Sequence, residues 1–387
     1  MKSKASVAII GGGVIGASIA YHLARLGVRD VVVVDRGATP GTGSTGRATG
    51  GYRAQFATPI NVRLSLLARD SLMRFKEDTG VDSGYQPVGY LWLASTDREL
   101  ELLRESQLMQ KNEGLFEAVE LGLGDISEAN PAISLDGVVG ATFCPTDGYI
   151  RPLEILRGYV EAATRLGVEF QWNSEVVGIS TRDSGRIAEV ETTSGKVTAD
   201  DFVDAAGPWA AKVAAMADVI LPVVPLRRQA ALTVATDVLP SNMPMTLFME
   251  DGFHMRVRDG RVMLCWPSPE QPGDPGELKA DSAWIDVVTT KARGRVAALR
   301  DVEIDRLMCY AGLYEMSPDD HAIVGRSVEC GNLWLANGSS GHGVMHSPAL
   351  GRIVADLIVG NTPPVDVTEL RPSRFAEGAA IVSSELI

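Results

Sequence analysis

The stretch Val7-Ala8-Ile9-Ile10-Gly11-Gly12-Gly13-Val14-Ile15-Gly16 decides how this chain is read. A short apolar run enters a turn of three glycines, a helical pattern continues to Gly27, and a second apolar run, Val31-Val32-Val33-Val34, ends in Asp35. Strand, glycine turn, helix, strand and terminal carboxylate is the order of a βαβ unit that grips a dinucleotide. Gly11 permits the tight turn, Gly13 lets the backbone approach a pyrophosphate, and Gly16 lets the helix lie close on the sheet. The helix start at Val14 and Ile15 then turns free N–H groups toward the phosphates. Asp35, roughly 20 residues on, is placed to accept from the adenosine ribose hydroxyls, and its charge disfavours a 2′-phosphate and hence NADP. The motif by itself leaves NAD and FAD open.

Lys2 and Lys4 ahead of an apolar run also fit the start of a secretory signal. Three consecutive glycines, the polar His22 and Arg25, and the lack of a small-residue cleavage site argue against it. Working outward, 387 residues suit two interleaved domains, and a net charge of −13 speaks against nucleic acid as a partner. No apolar run approaches the roughly 20 residues of a membrane span. Cys144, Cys265, Cys309 and Cys330 are scattered without metal-ligand spacing, so no metal site is expected and a reduced, cytoplasmic setting fits.

After Asp35-Arg36, residues 41–56 are too glycine-rich for a regular element, and their small side chains and exposed N–H groups suit wrapping a phosphate-bearing cofactor. Pro59 opens a helix that stops at Gly80, with Arg63 and Arg69 on its solvated or loop-facing side. Residues 88–94 read as a strand, Asp97 as the cap of a charged helix, and residues 152–166 as a helix closed by Gly167. Residues 176–179 are strand-like, residues 187–197 read as a hairpin, and residues 202–207 as a further buried strand. Between 221 and 308 several β-like runs are joined by proline- and glycine-rich turns. A last strand, glycine loop and helix follow from 332, with Ser347 as possible cap and Pro348 in the first turn. The expected fold is α/β: a Rossmann-like domain (1–84, 147–216 and 317–370), an interleaved α+β substrate domain dominated by an antiparallel sheet (85–146 and 217–316), and a C-terminal tail (371–387).

With these segments in view, the chain resembles the D-amino acid oxidase-like family of FAD enzymes, nearest the branch of sarcosine oxidase β subunits, glycine oxidase and dimethylglycine dehydrogenase. The resemblance rests on the first glycine motif, Gly46-Arg47-Ala48-Thr49-Gly50-Gly51-Tyr52-Arg53-Ala54-Gln55-Phe56, Asp204-Ala205-Ala206-Gly207-Pro208-Trp209, Ala311-Gly312-Leu313-Tyr314-Glu315-Met316-Ser317-Pro318-Asp319 and Gly341-His342-Gly343. It implies an FAD-dependent amine or amino-acid oxidoreductase of interleaved Rossmann type. Asp35 and Arg36 then belong to the adenosine end, Ser44, Thr45, Arg47, Ala48 and Thr49 to the pyrophosphate and flavin, and Val176 to the adenine. Ala206, Gly207 and Trp209 pass beside the dinucleotide, with Gly312 close to the ring. Gly338, Gly341, His342, Gly343 and Val344 approach its pyrimidine end. Gly312 stands where some sarcosine oxidases carry a flavin-linking cysteine, and Pro152 near a linking histidine, so the FAD is expected to be non-covalent. Met345 replaces a substrate-site lysine, and Tyr314 replaces the arginine with which glycine oxidase holds a carboxylate.

The catalytic residues expected are Arg53 as carboxylate grip, with His254, Tyr314 and Met345 around the substrate. The chemistry expected is hydride transfer to flavin from the carbon bearing an amine, giving an imine that hydrolyses. The substrate would be a sarcosine-, dimethylglycine-, proline- or glycine-like compound, and the electron acceptor O2, a quinone or another flavoprotein. Met263 aligns with the lysine that promotes oxygen reactivity in monomeric sarcosine oxidase, which favours a dehydrogenase. Hetero-oligomers with other oxidase subunits are part of the resemblance, and a catalytically silent flavoprotein serving as assembly factor or partner subunit is the alternative.

Overall fold

A computed structural model describes residues 3–268 and 278–382. Residues 269–277 of the expected substrate segment, 383–387 of the expected tail and Lys2 lie outside the described residues.

Two large sheets organise the molecule. The first runs Ile323–Arg326, Leu333–Asn337, Gly195–Asp204, Lys4–Ile10, Val31–Val34, Glu169–Gln171. Along this order the strands are parallel except at the Ile323–Arg326 edge, and Ile187–Thr192 and Val176–Thr181 add an antiparallel branch on Gly195–Asp204. Helices cover it, which is why Val31–Val34 is buried at every residue and its sequence is a continuous apolar run rather than an alternating one. Each such buried valine contributes about 1.5–3 kcal/mol relative to exposure. The helix Val14–Arg25 packs against the helix Gly343–Val359, and Gly351 makes that possible: a Cβ there would stand 2.0 Å from Ser18 Oγ.

The second sheet runs Tyr310–Met316, Val224–Leu232, Arg261–Cys265, His254–Arg258, Met245–Phe248, Tyr90–Ala94, Gly140–Cys144, Val119–Leu121. All its pairs are antiparallel except Met245–Phe248 with Tyr90–Ala94. Its far face is closed by the helix Ser282–Arg295, whose Trp284, Ile285, Val288 and Ala292 join Met255, Val257, Val262 and Leu264 in one core. The α/β class with a mixed parallel sheet and a largely antiparallel second sheet is as expected.

Several local expectations are corrected. The hairpin partner and the "further" strand at 202–207 are one strand, Gly195–Asp204: its first residues pair with Ile187–Thr192 and its last with Leu333–Asn337. The helix from Pro59 breaks at Arg74 into Pro59–Met73 and Phe75–Thr79. Thr96, not Asp97, caps Asp97–Asn112, in a capping box with Glu99 that satisfies two end N–H groups. The last helix starts at Gly343, so Ser347 lies inside it and donates to Val344 O at 2.9 Å. The strand Met245–Phe248 and the helix Ser282–Arg295 were not expected. In the expected tail, Arg374 is fully buried and pairs with Asp319 through Nε and Nη2 at 2.8 Å each.

Candidate active site

The glycine turn is the base of the site. Gly11 has φ +107°, and a Cβ there would stand 2.3 Å from Ala205 O, so the turn is fitted against the end of the neighbouring strand. A Cβ at Gly16 would stand 1.9 Å from Gly11 O. Asp35 closes the turn from the next strand: Oδ2 accepts from Gly12 N at 2.7 Å and Oδ1 from Gly37 N at 2.6 Å. Each oxygen keeps a lone pair for a further donor. The Val14 N–H is not free at the helix start, because it donates to Thr45 Oγ1 at 3.2 Å.

The residues 41–53 form the roof. They are more ordered than their glycine content suggested, with a 3-10 turn at Ser44–Arg47 and a short ladder of Gly51–Tyr52 with Gly148–Tyr149. Side chains from the second sheet hold this segment by its carbonyls. Arg258 Nη1 donates to Ala48 O at 3.0 Å, and Arg256 Nη1 to Thr49 O and Gly50 O at 2.9 and 2.7 Å, its guanidinium lying 3.6 Å from the centre of the Tyr149 ring. In return Ser44 Oγ donates to Leu313 O at 2.8 Å and Arg47 Nη1 to Ala311 O at 3.1 Å. These bonds, charge-assisted where an arginine donates, fix residues 41–53 to the second sheet at the site.

Between base and roof lies a cleft of about 1300 Å³. At one end its wall holds Asp35, Val176, Arg36 and Trp209, the last two stacked with the guanidinium 4.2 Å from the ring centre. Along it come Gly11, Gly13, Val14, Ile15, Ser44, Thr45, Arg47, Ala48, Thr49, Ala206, Gly207 and Gly312. At the far end stand Arg53, His254, Tyr314, Gly341, His342, Gly343, Val344 and Met345. Two expected cofactor residues do not reach the wall. Gly16 sits beneath the turn as a packing residue, and Gly338, at φ +69°, faces Ser317 and Ile323, where a Cβ would find 3.1 and 3.2 Å.

Arg53 is buried, donates from Nη1 to Gln55 O at 2.9 Å, and lies 4.0 Å from the Phe56 ring centre and 4.9 Å from that of Trp92. Its Nη2 is 3.3 Å from His342 Nε2, which must be the acceptor, since guanidinium offers only donors. Burial first, and Arg53 second, hold His342 well below the ordinary histidine range, so it is neutral. His254 Nδ1 lies 2.9 Å from Gly252 O and therefore carries the proton, leaving Nε2 as acceptor. Burial, then the charges of Arg53 and Arg228, lower its pKa. Burial raises that of Tyr314, whose ring covers Gly341: a Cβ there would lie 2.5 Å from it. Met263 does not line the cleft but is buried beside Ala230, Leu232 and Cys265.

The sequence reading missed Arg228, Trp92 and Trp172. Arg228 enters the wall from Val224–Leu232, Trp92 flanks Arg53, and Trp172 covers Gly12, where a Cβ would lie 2.8 Å from its ring. A Trp within a strand or just after one carries no local cue; only the register of distant strands brings these side chains here. No group of three or more metal-ligating side chains exists among the described residues, and none of their helices is long and apolar enough to cross a membrane.

Residues 6–357 match the family model described as FAD dependent oxidoreductase. The chain is 30% identical to the mitochondrial dimethylglycine dehydrogenase of Rattus norvegicus over 97% of its own length, and spans 45% of that protein's length. It is 27% identical to the glycine oxidase of Geobacillus kaustophilus (strain HTA426), covering 92% of this chain and 94% of that one. Among solved structures, L-proline dehydrogenase from P. horikoshii superposes with a TM-score of 0.89 at 27% identity, covering 98% of this chain and 99% of the other. The cleft fits the FAD that the family implies. Its volume of about 1300 Å³ has room for a dinucleotide, Gly11 and Gly13 leave no side chain between the turn and the cleft, and a buried carboxylate oxygen of Glu315 has no partner among the described residues.

Proposed function

Since the chain belongs to the FAD dependent oxidoreductase family, we propose that it oxidises the C–N bond of a small amino acid or N-methylated amine carrying one carboxylate. The observation that carries this reading is the convergence of Arg53, His254 and Tyr314, from three distant segments, at one end of the cleft beside the start of the helix Gly343–Val359. FAD, when bound, supplies the acceptor for a hydride from the carbon bearing the amine. Arg53 offers a planar fork of donors to a carboxylate, and its burial strengthens that attraction. His254, neutral with Nε2 as acceptor, takes the ammonium proton, because only a neutral amine can release its lone pair into the forming imine. Tyr314 and Trp92 exclude water from the reacting carbon, and the helix start at Gly343 and Val344 favours negative charge building on the ring.

The FAD is held without a covalent bond in this reading. Position 312 is a glycine that faces the Arg47 side chain, a Cβ there lying 3.2 Å from Arg47 Cβ, and position 152 is a proline. Electrons pass to a quinone or another flavoprotein in preference to O2, because Met263, aligned with the oxygen-activating lysine, is uncharged and buried off the cleft, and Arg256 is engaged with the carbonyls of Thr49 and Gly50. Partner subunits would receive those electrons, and the cytoplasm is the setting we assign. Anaerobic addition of sarcosine, dimethylglycine, proline, glycine and D-amino acids tests the reading, with bleaching of the flavin by at least one expected. Neither bleaching nor spectral shift with any of them would make the protein a silent flavoprotein. Fast reoxidation of the reduced protein in air would make it an oxidase, with Arg228 the charge beside the ring.

A further inference from the structure

We propose that Glu315 recognises a hydroxyl of the polyol chain joining the flavin ring to the diphosphate, as the open end of a buried acid cluster in the middle of the cleft. The inference rests on the FAD assignment and adds a binding residue to it. Four of the nine buried side-chain oxygens and nitrogens that lack a partner among the described residues belong to one place: Glu315 Oε2, Ser339 Oγ, Asp204 Oδ2 and Asn337 Oδ1. Two of them, Glu315 Oε2 and Ser339 Oγ, belong to residues that line the cleft, and unpaired polar atoms at a cleft wall mark a missing ligand, since native interiors leave few polar atoms unpaired.

The cluster forms where both sheets end. Asp204 terminates Gly195–Asp204, and its Oδ1 accepts from Ala206 N at 3.0 Å. Asn337 terminates the adjacent strand, and its Nδ2 donates to Asp204 O at 2.8 Å. Glu315 comes from the second sheet, with Oε1 accepting from Ser339 N at 3.3 Å. A Cβ on Gly207 would stand 3.8 Å from Glu315 Oε2, so this oxygen faces the backbone that follows the Gly11 contact. Glu315, Ser339 and Gly207 line the cleft; Asp204 and Asn337 stand behind them.

The chemistry of the ligand follows. A phosphate is repelled by a carboxylate, and the diphosphate has its own place at the N–H groups of the glycine turn. A cation is poorly served, because burial pushes Glu315 up to about 7 and Asp204 up to about 8, the latter helped by Glu315, so the pair holds back part of its charge. A neutral hydroxyl, donor and acceptor at once, fits a carboxyl in either protonation state. Between the glycine turn at one side and Arg53, His254 and Tyr314 at the other, the part of FAD rich in hydroxyls is its polyol.

The test equilibrates the holoprotein with FAD and with three FAD analogues, each lacking one ribityl hydroxyl, and reads Kd from the fluorescence of released flavin. Wild type should hold one of the three about ten- to hundredfold less tightly than FAD. Glu315→Met should hold FAD and that analogue equally, with folding checked by circular dichroism, and Glu315→Gln, which keeps an acceptor, should lie between. Equal weakening of FAD and all analogues in Glu315→Met, or discrimination unchanged from wild type, overturns the assignment. Should the Met variant not fold, Glu315→Gln decides: reduced discrimination supports the site and undiminished discrimination overturns it. A protein that purifies colourless and takes up no flavin overturns the FAD assignment, and this inference with it.

Discussion

The two ends of the cleft are built from different materials. The end proposed for the dinucleotide is made of backbone: Gly11, Gly12 and Gly13, the Asp35 carboxylate tied to two main-chain N–H groups, and the carbonyl of Ala205 against the turn. The end proposed for the substrate is made of side chains: Arg53, His254, Tyr314, Trp92 and Arg228, carried by segments far apart in the chain. A backbone site depends on the absence of atoms and on one local geometry. A side-chain site depends on where distant strands put their outward residues, and on the charge states that burial imposes. The first therefore tolerates no added atom at Gly11, and the second tolerates substitution at a graded cost.

The sharpest way to break this contrast is Gly11→Ala. At φ +107° and 2.3 Å from Ala205 O, a methyl forces the turn away from its neighbour, so the variant should purify without flavin. Flavin content by absorbance checks it, and normal content would mean the turn yields in a way the backbone account forbids. Next comes Arg53→Ala, which should cost about 2–5 kcal/mol in substrate binding while leaving flavin content near wild type. Anaerobic titration measures the first and absorbance the second; loss of flavin would move Arg53 from the substrate end to the frame.

The smallest effect expected is the pH response of the substrate end, where His346 lies buried with Nε2 2.8 Å from Ser65 Oγ. Burial, then Arg53 and His321, lower its pKa from 6.5 to about 3. Above 6.5 the ring is neutral whether the chain is folded or not. Below that value only the unfolded chain takes the proton, so stability falls as pH drops from about 6.5 to about 3. Removing the ring in His346→Asn removes that slope, so the Tm advantage of wild type should shrink on acidification. Parallel Tm profiles from pH 7 to pH 4 decide it, and a constant difference would show that His346 does not titrate with folding.

The same contrast explains what was legible in the sequence. Glycines at fixed offsets after an apolar run announce a turn whose geometry only glycine allows, so the base of the cleft could be read from sixteen residues. Arg53 and His254 came through family resemblance, not from any local signal. Ser282–Arg295 was hidden because Val287, Val288, Thr289 and Thr290 are β-branched and consecutive, a composition that lowers helix propensity, while the spacing of Trp284, Ile285, Val288 and Ala292 on one buried face decides for helix. Met245–Phe248 is four residues long and preceded by Pro240 and Pro244, and it is a strand only because Tyr90–Ala94 and His254–Arg258 flank it. Arg228 and Trp172 carry no spacing cue at all.

The order of the first sheet has a consequence for how the molecule is made. Gly11 is seated against Ala205, and the strand ending at Asp204 is itself flanked by Leu333–Asn337, so the glycine turn receives its neighbours from segments some two hundred and three hundred residues away. Contacts of such sequence separation form late and slowly, because the loop between them must close before they reward it. The βαβ unit that announces the fold is therefore not a nucleus able to capture flavin alone. A fragment ending after Glu169–Gln171 would hold the whole glycine motif and its Asp35, and would emerge colourless.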